Sequence, residues 1–172
     1  MSQLNRRSFL KNSALAGALL GFPSIIPASA LGKDGTVAPS NRLQLVGIGL
    51  KSQGGGDMRQ LMSKKGVQVI AVCDVDRRVL ASSSEAVVKK GMAAPKQYVD
   101  FREMLAKEKP DAAVHGLPDH WHGVISCALL RAGIDVYGEK PLAKTWAEGK
   151  AIADAVKENG RVWQTGMWQR ST

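Results

Sequence analysis

Beyond residue 40 the chain alternates between short, nearly continuous apolar runs and longer stretches in which apolar residues return every three or four positions. The first run, Leu43-Gln44-Leu45-Val46-Gly47-Ile48-Gly49, leads directly into Leu50-Lys51-Ser52-Gln53-Gly54-Gly55-Gly56-Asp57-Met58, after which Met58, Leu61 and Met62 recur at helical spacing. This reads as strand, glycine turn and helix. Lys64-Lys65-Gly66 closes that helix with cations in its last turn and a glycine just beyond. The run 67–73 is a second buried strand that ends on Asp74.

The alternation continues to the end of the chain. Leu80, Val87 and Val88 give one apolar face to a helix over 77–90. A short strand at 97–99 precedes Asp100-Phe101-Arg102-Glu103, a cap with glutamate at the third helical position, and that helix stops before Pro110. Residues 111–116 form the fourth strand. A helix from about His122 follows, with Val124, Ala128 and Ala132 on one face, ending at Gly133. Residues 135–138 are the fifth strand, Thr145-Trp146-Ala147-Glu148 is a capping box, and the helix it opens closes at Asn159-Gly160 before a sixth strand at 161–165. Six strands separated by helices predict an α/β fold, a doubly wound parallel sheet.

The N-terminus follows a different pattern. Asn5-Arg6-Arg7-Ser8-Phe9-Leu10-Lys11 is basic, residues 14–26 are apolar, and Ala28-Ser29-Ala30 is a small-x-small cleavage site. Residues 1–30 resemble a twin-arginine export signal. Gly17, Gly21, Pro23 and Pro27 interrupt a stretch already short for a membrane span. The expectation is a removed leader and a periplasmic or extracytoplasmic protein that engages the twin-arginine export machinery; the runner-up is an uncleaved anchor. Residues 31–40 read as a linker, 41–167 as one nucleotide-binding domain, and 168–172 as the start of a second, truncated domain.

Composition narrows the function. The chain has 24 basic and 15 acidic residues. Arg6, Arg7 and Lys11 belong to the leader, and the remaining surplus is scattered with no basic run interleaved with aromatics. No nucleic-acid binding is expected. Cys73 and Cys127 lie in apolar contexts and read as small buried hydrophobes.

A pyrophosphate must be neutralised without bulk, so glycines bring backbone N–H groups at a helix N-terminus close to it. Gly47, Ile48, Gly49 and Ser52 form the candidate cradle. Gly47 is expected to make the turn and Gly49 to allow the approach. Ser52 stands in the third fingerprint position, where it sets the helix slightly further from the strand. Asp74 is placed either to take both hydroxyls of an adenosine ribose or to cap the helix over 77–90. It favours NAD by repelling a 2′-phosphate, whereas Arg77 and Arg78 favour NADP by embracing one.

In a doubly wound sheet ligands bind beyond the carboxyl ends of the strands. After strand four comes Leu117-Pro118-Asp119-His120-Trp121-His122, and after strand five Glu139-Lys140-Pro141-Leu142. His120 and His122 have no third partner at ligand spacing, so no metal is expected. His122 opens the fourth helix, and Asp119 or His122 lines the nicotinamide end; His115 and His120 are read as packed or solvent-exposed. Lys140 is either an ammonium aimed at a substrate oxygen or half of a surface ion pair with Glu139.

Gly47-x-Gly49, Asp74, Pro118-Asp119-x-x-His122, Ala132-Gly133-x-x-Val136-x-x-Glu139-Lys140-Pro141-Leu142 and Gln164-Thr165-Gly166, in this order, resemble the Gfo/Idh/MocA oxidoreductases. The resemblance implies an NAD(P)-dependent enzyme acting on a sugar or polyol. Lys140 is then the catalytic-site lysine with His122 as a second candidate, Glu139 contacts the nicotinamide ribose side, Pro118 and Asp119 border the cofactor, and Lys140-Pro141 is a candidate cis peptide. Members of that family continue into a second α/β domain that forms the substrate pocket. The expectation is therefore a cofactor-binding half that turns over little alone, with a homo-oligomer expected of the complete protein. The alternatives are a non-catalytic nucleotide-binding module and a methyltransferase, against which the Glu-Lys-Pro loop argues.

Overall fold

A computed structural model of the chain describes residues 27–33, 35 and 37–170. Residues 5–26, the basic and apolar parts of the expected export signal, lie outside the described residues. Two compact units divide the chain, Met1–Ala38 and Pro39–Thr172. In the first, Ala28–Leu31 form a 3-10 turn. The second carries the sheet. Among the described residues no helix is long and apolar enough to cross a membrane.

The strands are β1 Leu43–Ile48, β2 Val67–Cys73, β3 Lys96–Tyr98, β4 Ala112–His115, β5 Asp135–Glu139 and β6 Trp163–Gly166. The helices are α1 Gln53–Leu61, α2 Arg77–Lys89, α3 Phe101–Lys107, α4 Asp119–Arg131 and α5 Trp146–Asn159. The strands form one sheet in the order β3-β2-β1-β4-β5-β6, every pairing parallel. The doubly wound fold is therefore present, and its order reverses between β1 and β4, where such sheets open a crevice.

Alternation along the central strands sends side chains to two cores. Leu45, Val69, Val72 and Val114 pack with Met58 and Met62 of the α1 region and with Leu80 and Val87 of α2. Val46, Ile48, Ala71 and Ala113 pack on the opposite face with Phe101 and Met104 of α3, Ile125 and Leu129 of α4, and Ile152 of α5. Helices thus cover both faces. Cys73 and Cys127 are free and buried, and burial, followed by the nearby Asp100 and Asp74 carboxylates, pushes the Cys73 thiol up to about 12.

Local signals in the sequence account for several boundaries. Thr145 accepts from the Glu148 N–H while the Glu148 carboxylate accepts from the Thr145 N–H, the reciprocal capping box. Asp100 caps α3 by accepting from Arg102 N–H at 2.8 Å, but Glu103 reaches forward to Lys107 at 2.6 Å.

Two faces differ from the periodicity reading. Val124 is 50% exposed, and Ile125, Leu129 and Leu130 carry the packed face of α4. The buried stripe there includes His122 and Ser126, whose polarity hides it from a hydrophobic count. Helix α4 also begins at Asp119, a turn earlier than expected. On α2, Val88 faces solvent while Leu80 and Val87 are buried.

The glycines of α1 give a paired prediction. A methyl group at Gly54 meets the Gly49 carbonyl oxygen and lies 3.0 Å from Gly116 Cα, whereas one at Gly56 meets nothing within 4 Å. Gly56→Ala is expected to stabilise the chain by about 0.5–1 kcal/mol through lost unfolded-state entropy. Gly54→Ala is expected to destabilise it by about 1–3 kcal/mol, as overpacking does. Urea denaturation of the two variants checks both signs.

Candidate functional site

Glycine roles at the β1–α1 turn are redistributed relative to the fingerprint reading. Gly49, with φ of 68°, makes the turn. Gly47 is still in β1, where a Cβ would lie 2.8 Å from both Leu50 Cδ2 and Met58 Sδ, so its bareness seats the helix. Ile48 points into the core at 3% exposure and contributes backbone to the turn. The close helix packing that Ser52 was expected to loosen is supplied by Gly54, and a Cβ on Gly116, just past β4, would sit 2.6 Å from Gly54 Cα. Helix α1 therefore rests directly on the backbone between β1 and β4, not further from the strand as Ser52 alone suggested.

Ser52 occupies the N-cap position but makes no side-chain cap, and its φ of 55° and ψ of −117° lie where L residues are strained. The first intrahelical bond runs from Gly56 N–H to Ser52 O at 3.2 Å. The N–H groups of Gln53, Gly54 and Gly55 precede it and have no acceptor within the helix. Three free donors on a helix N-terminus, opened by glycines, fit the pyrophosphate of a dinucleotide.

Asp74 does more than either role expected of it. Its Oδ2 accepts from Leu50 N–H and its Oδ1 from Asp76 N–H, both at 2.9 Å, while Gly49 N–H donates to Cys73 O at 2.9 Å. The carboxylate thus ties the β1 turn to the end of β2. Each oxygen keeps a lone pair for a ribose hydroxyl. The helix cap belongs to Asp76, which accepts from Arg78 N–H at 2.9 Å and also holds the Arg78 guanidinium. These bonds hold the Asp76 carboxyl at about 2. Arg77 is exposed beside this pair, so the two arginines are not equivalent.

After β4, Pro118, Asp119 and His120 are exposed, with Pro118 in the N-cap position of α4. His122 is fully buried, so its ring is not presented to the crevice; Nε2 lies 2.9 Å from the Leu117 carbonyl oxygen. Its ring stands edge-on to His115 at 5.1 Å. His115 Nε2 meets Ser126 Oγ at 2.9 Å. Burial, with His122 adding to it, pushes His115 down to about 3, so its imidazole is neutral. Among the described residues no group of three His, Cys, Asp or Glu side chains is placed to hold a metal ion.

After β5, Glu139 is 3% exposed and Lys140 is exposed. The Lys140–Pro141 bond is cis. Lys140, Gln53, Met167, Gln169 and Arg170 line a cavity of about 490 Å³, which puts Lys140 across from the N-terminus of α1. Glu139 does not form the surface ion pair considered for it: its Oε2 accepts the Lys140 main-chain N–H at 3.0 Å. Asp57, 5% exposed on α1, reaches toward it. Gln53, Gly54, Asp57 and Gly116 are site residues that motif reading missed. The signal for Asp57 was a carboxylate beside Met58 in a helix otherwise packed on the sheet.

The family model described as an oxidoreductase family with an NAD-binding Rossmann fold matches residues 42–167. The chain belongs to the Gfo/Idh/MocA oxidoreductase family. NAD or NADP is the cofactor of that fold. A glycosyl hydrolase family 109 protein of Shewanella pealeana is 30% identical over 170 residues, covering 90% of the chain and 37% of the relative. An alpha-N-acetylgalactosaminidase of Shewanella oneidensis is 28% identical over 173 residues, covering 91% and 38%. The chain thus spans less than two-fifths of the length of these curated relatives. Among solved structures, myo-inositol 2-dehydrogenase of Lactobacillus plantarum aligns with a TM-score of 0.68 and 26% identity over 76% of this chain and 38% of that one. The WlbA dehydrogenase of Chromobacterium violaceum, in complex with NADH and UDP-GlcNAcA, shares the fold with a TM-score of 0.67 at 19% identity over 86% and 39%.

The strained serine of this family member yields a second prediction. Ser52→Gly removes a Cβ from a φ of 55° and forfeits no side-chain cap, so it is expected to stabilise the chain by about 1 kcal/mol. Thermal unfolding of the variant beside wild type measures it, and a lower midpoint for Ser52→Gly would contradict the strain.

Proposed function

We propose that the chain is the cofactor-binding part of an exported NAD(P)-dependent oxidoreductase that acts on the CH–OH group of a sugar or polyol. The observation that carries this reading is the opposition of three free helix N–H donors to Lys140 across one crevice. Gln53, Gly54 and Gly55 would hold the pyrophosphate, with Gly47, Ile48, Gly49 and Ser52 shaping the turn around it. Asp74, already locked by two main-chain donors, would use its remaining lone pairs on the adenosine ribose. Pro118 and Asp119 would border the cofactor from the β4 side.

Nicotinamide, when bound, supplies hydride exchange with a substrate carbon. The chain's own part is electrostatic and protonic. The Lys140 ammonium would stand at the substrate oxygen and stabilise the charge that develops there. Glu139, beneath it, would set the direction in which Lys140 leaves the strand and meet the nicotinamide ribose side. His122 would act at one remove, by holding the Leu117 carbonyl and so the loop that carries Pro118 and Asp119.

Asp74 and the engagement of Arg78 by Asp76 support NAD over NADP, because Arg77 alone is left to meet a 2′-phosphate. The substrate class rests on the names of the relatives, one an inositol dehydrogenase. A second reading, cleavage of a glycoside, is favoured by the glycosidase names of the curated relatives, and nicotinamide-dependent glycoside hydrolysis is an established exception to two-carboxylate catalysis. The two separate by product: an oxidoreductase accumulates reduced cofactor with a polyol, whereas a glycosidase releases free sugar with no net change in cofactor. Export rests on Arg6-Arg7 and the apolar stretch after it, with the twin-arginine machinery as partner and the periplasm as destination. Turnover by these 172 residues alone is expected to be small, and a homo-oligomer is proposed for the complete protein.

Fluorescence titration of the purified chain with NADH and NADPH tests the reading. NADH is expected to bind more tightly than NADPH, and Asp74→Ala to weaken NADH by more than tenfold. Lys140→Ala is expected to leave affinity within about threefold while abolishing any turnover, since an interaction made in the transition state lowers rate and not ground-state binding. Absence of binding by either nucleotide at millimolar concentration would overturn the assignment.

A further inference from the structure

Beneath the crevice lie two carboxyl groups with no ion pair among the described residues, although the Lys140 charge acts on Glu139. Asp57 projects from α1 and Glu139 from the end of β5, and they are 5% and 3% exposed. Each has one oxygen satisfied. Asp57 Oδ1 accepts from the Gln53 side-chain amide at 2.9 Å, and Glu139 Oε2 accepts from the Lys140 main-chain N–H at 3.0 Å. The other two oxygens, Asp57 Oδ2 and Glu139 Oε1, are buried with no donor. Their partners Gln53 and Lys140 line one cavity, and the Asp57 side chain acts directly on the Glu139 carboxyl.

Other groups around them offer no alternative donor. The Tyr137 hydroxyl of β5 stands near Glu139 at Gly166 of β6, where an added Cβ would lie 2.5 Å from Glu139 Oε1 and 3.0 Å from the Tyr137 oxygen, yet Glu139 Oε1 has no hydrogen bond. Lys140 lines the cavity, and its ammonium acts on Glu139 only through space. Two buried carboxylates in contact cannot both ionise. One proton between them satisfies both orphaned oxygens at once.

We infer that Asp57 is a positioning residue of this site: it shares a single proton with Glu139, and the pair braces Gln53 and Lys140 on opposite walls of the crevice. The brace runs Gln53 amide, Asp57, proton, Glu139, Lys140 main chain. It carries one negative charge instead of two under the site. Burial first, with Asp57 adding to it and both the N–H and the charge of Lys140 opposing, raises the Glu139 pKa above its usual 4.5, in keeping with a proton retained there. Glu108, the third buried carboxyl among the described residues, differs. Burial works against its charge, but hydrogen bonds from Tyr98 and Lys96 outweigh that and hold its pKa below the ordinary value.

Infrared spectroscopy of the 172-residue chain at neutral pH reads the proton without any ligand. Wild type is expected to show the C=O stretch of a protonated carboxyl, and Asp57→Asn and Glu139→Gln to lose it, since in each an amide donor replaces the proton. The pH dependence follows by sign. The folded chain keeps a proton that the unfolded chain releases above the usual glutamate range, so wild-type stability should fall as pH rises from about 4.5 through the raised value, and Asp57→Asn should abolish that decline. Hydrogen exchange reads the brace: the Lys140 amide should exchange slowly in wild type and Asp57→Asn and at least tenfold faster in Asp57→Leu. A wild-type spectrum with no protonated carboxyl at neutral pH would overturn the proposal, as would unchanged Lys140 exchange in a folded Asp57→Leu chain.

Discussion

One backbone contact sets the geometry of everything at this crevice. Gly54 at the start of α1 lies against Gly49 and Gly116, the residues that leave β1 and β4 at the point where the sheet changes direction. A single methyl group on either Gly54 or Gly116 collides with main chain there. The contact brings unpaired N–H groups of a helix to the mouth of a parallel sheet, where their partial positive charge faces the crevice. It also explains why a serine is tolerated at position 52: the helix is seated by Gly54, and Ser52 bears a strained φ outside that seat.

The polar residues below the surface hold this contact in register. Asp74 fastens the β1 turn to β2 through the Leu50 N–H, and Gly116 N–H donates to Ile48 O at 3.1 Å, which fastens the same turn to β4. His122 holds the Leu117 carbonyl from within the α4 core. Glu139 holds the Lys140 main chain, and Asp57 holds the Gln53 side chain. All of these side chains except Asp57 act on a main-chain loop that borders the crevice. Buried polar groups of this kind are costly unless paired, and their pairing here specifies loop positions that apolar packing alone does not determine.

The strand and helix alternation, the capping box at Thr145 and the glycine-rich turn were legible in the sequence because they are local: each is a few residues obeying a period or a cap rule. The six strands and their parallel arrangement followed from that alternation. What was not legible depended on pairing between distant segments. Gly54 and Gly116 are 62 residues apart by number, and nothing near either marks it as a contact. Asp57 sits in a helix whose apolar pattern suggested only packing, and Glu139 looked like half of a surface pair until its burial was seen. On α4, His122 and Ser126 occupy the buried stripe, so counting apolar residues placed the packed face one position away, on the exposed Val124.

On the proposed function, the N–H groups at the start of α1 seat the linked phosphates of a nicotinamide dinucleotide. Amide chemical shifts recorded while NADH is added to the ¹⁵N-labelled chain test it most directly. The Gln53, Gly54 and Gly55 amides should move furthest and saturate together with the Leu50 amide that Asp74 holds. Saturable binding that leaves those amides unmoved and shifts residues on another face of the sheet would contradict it.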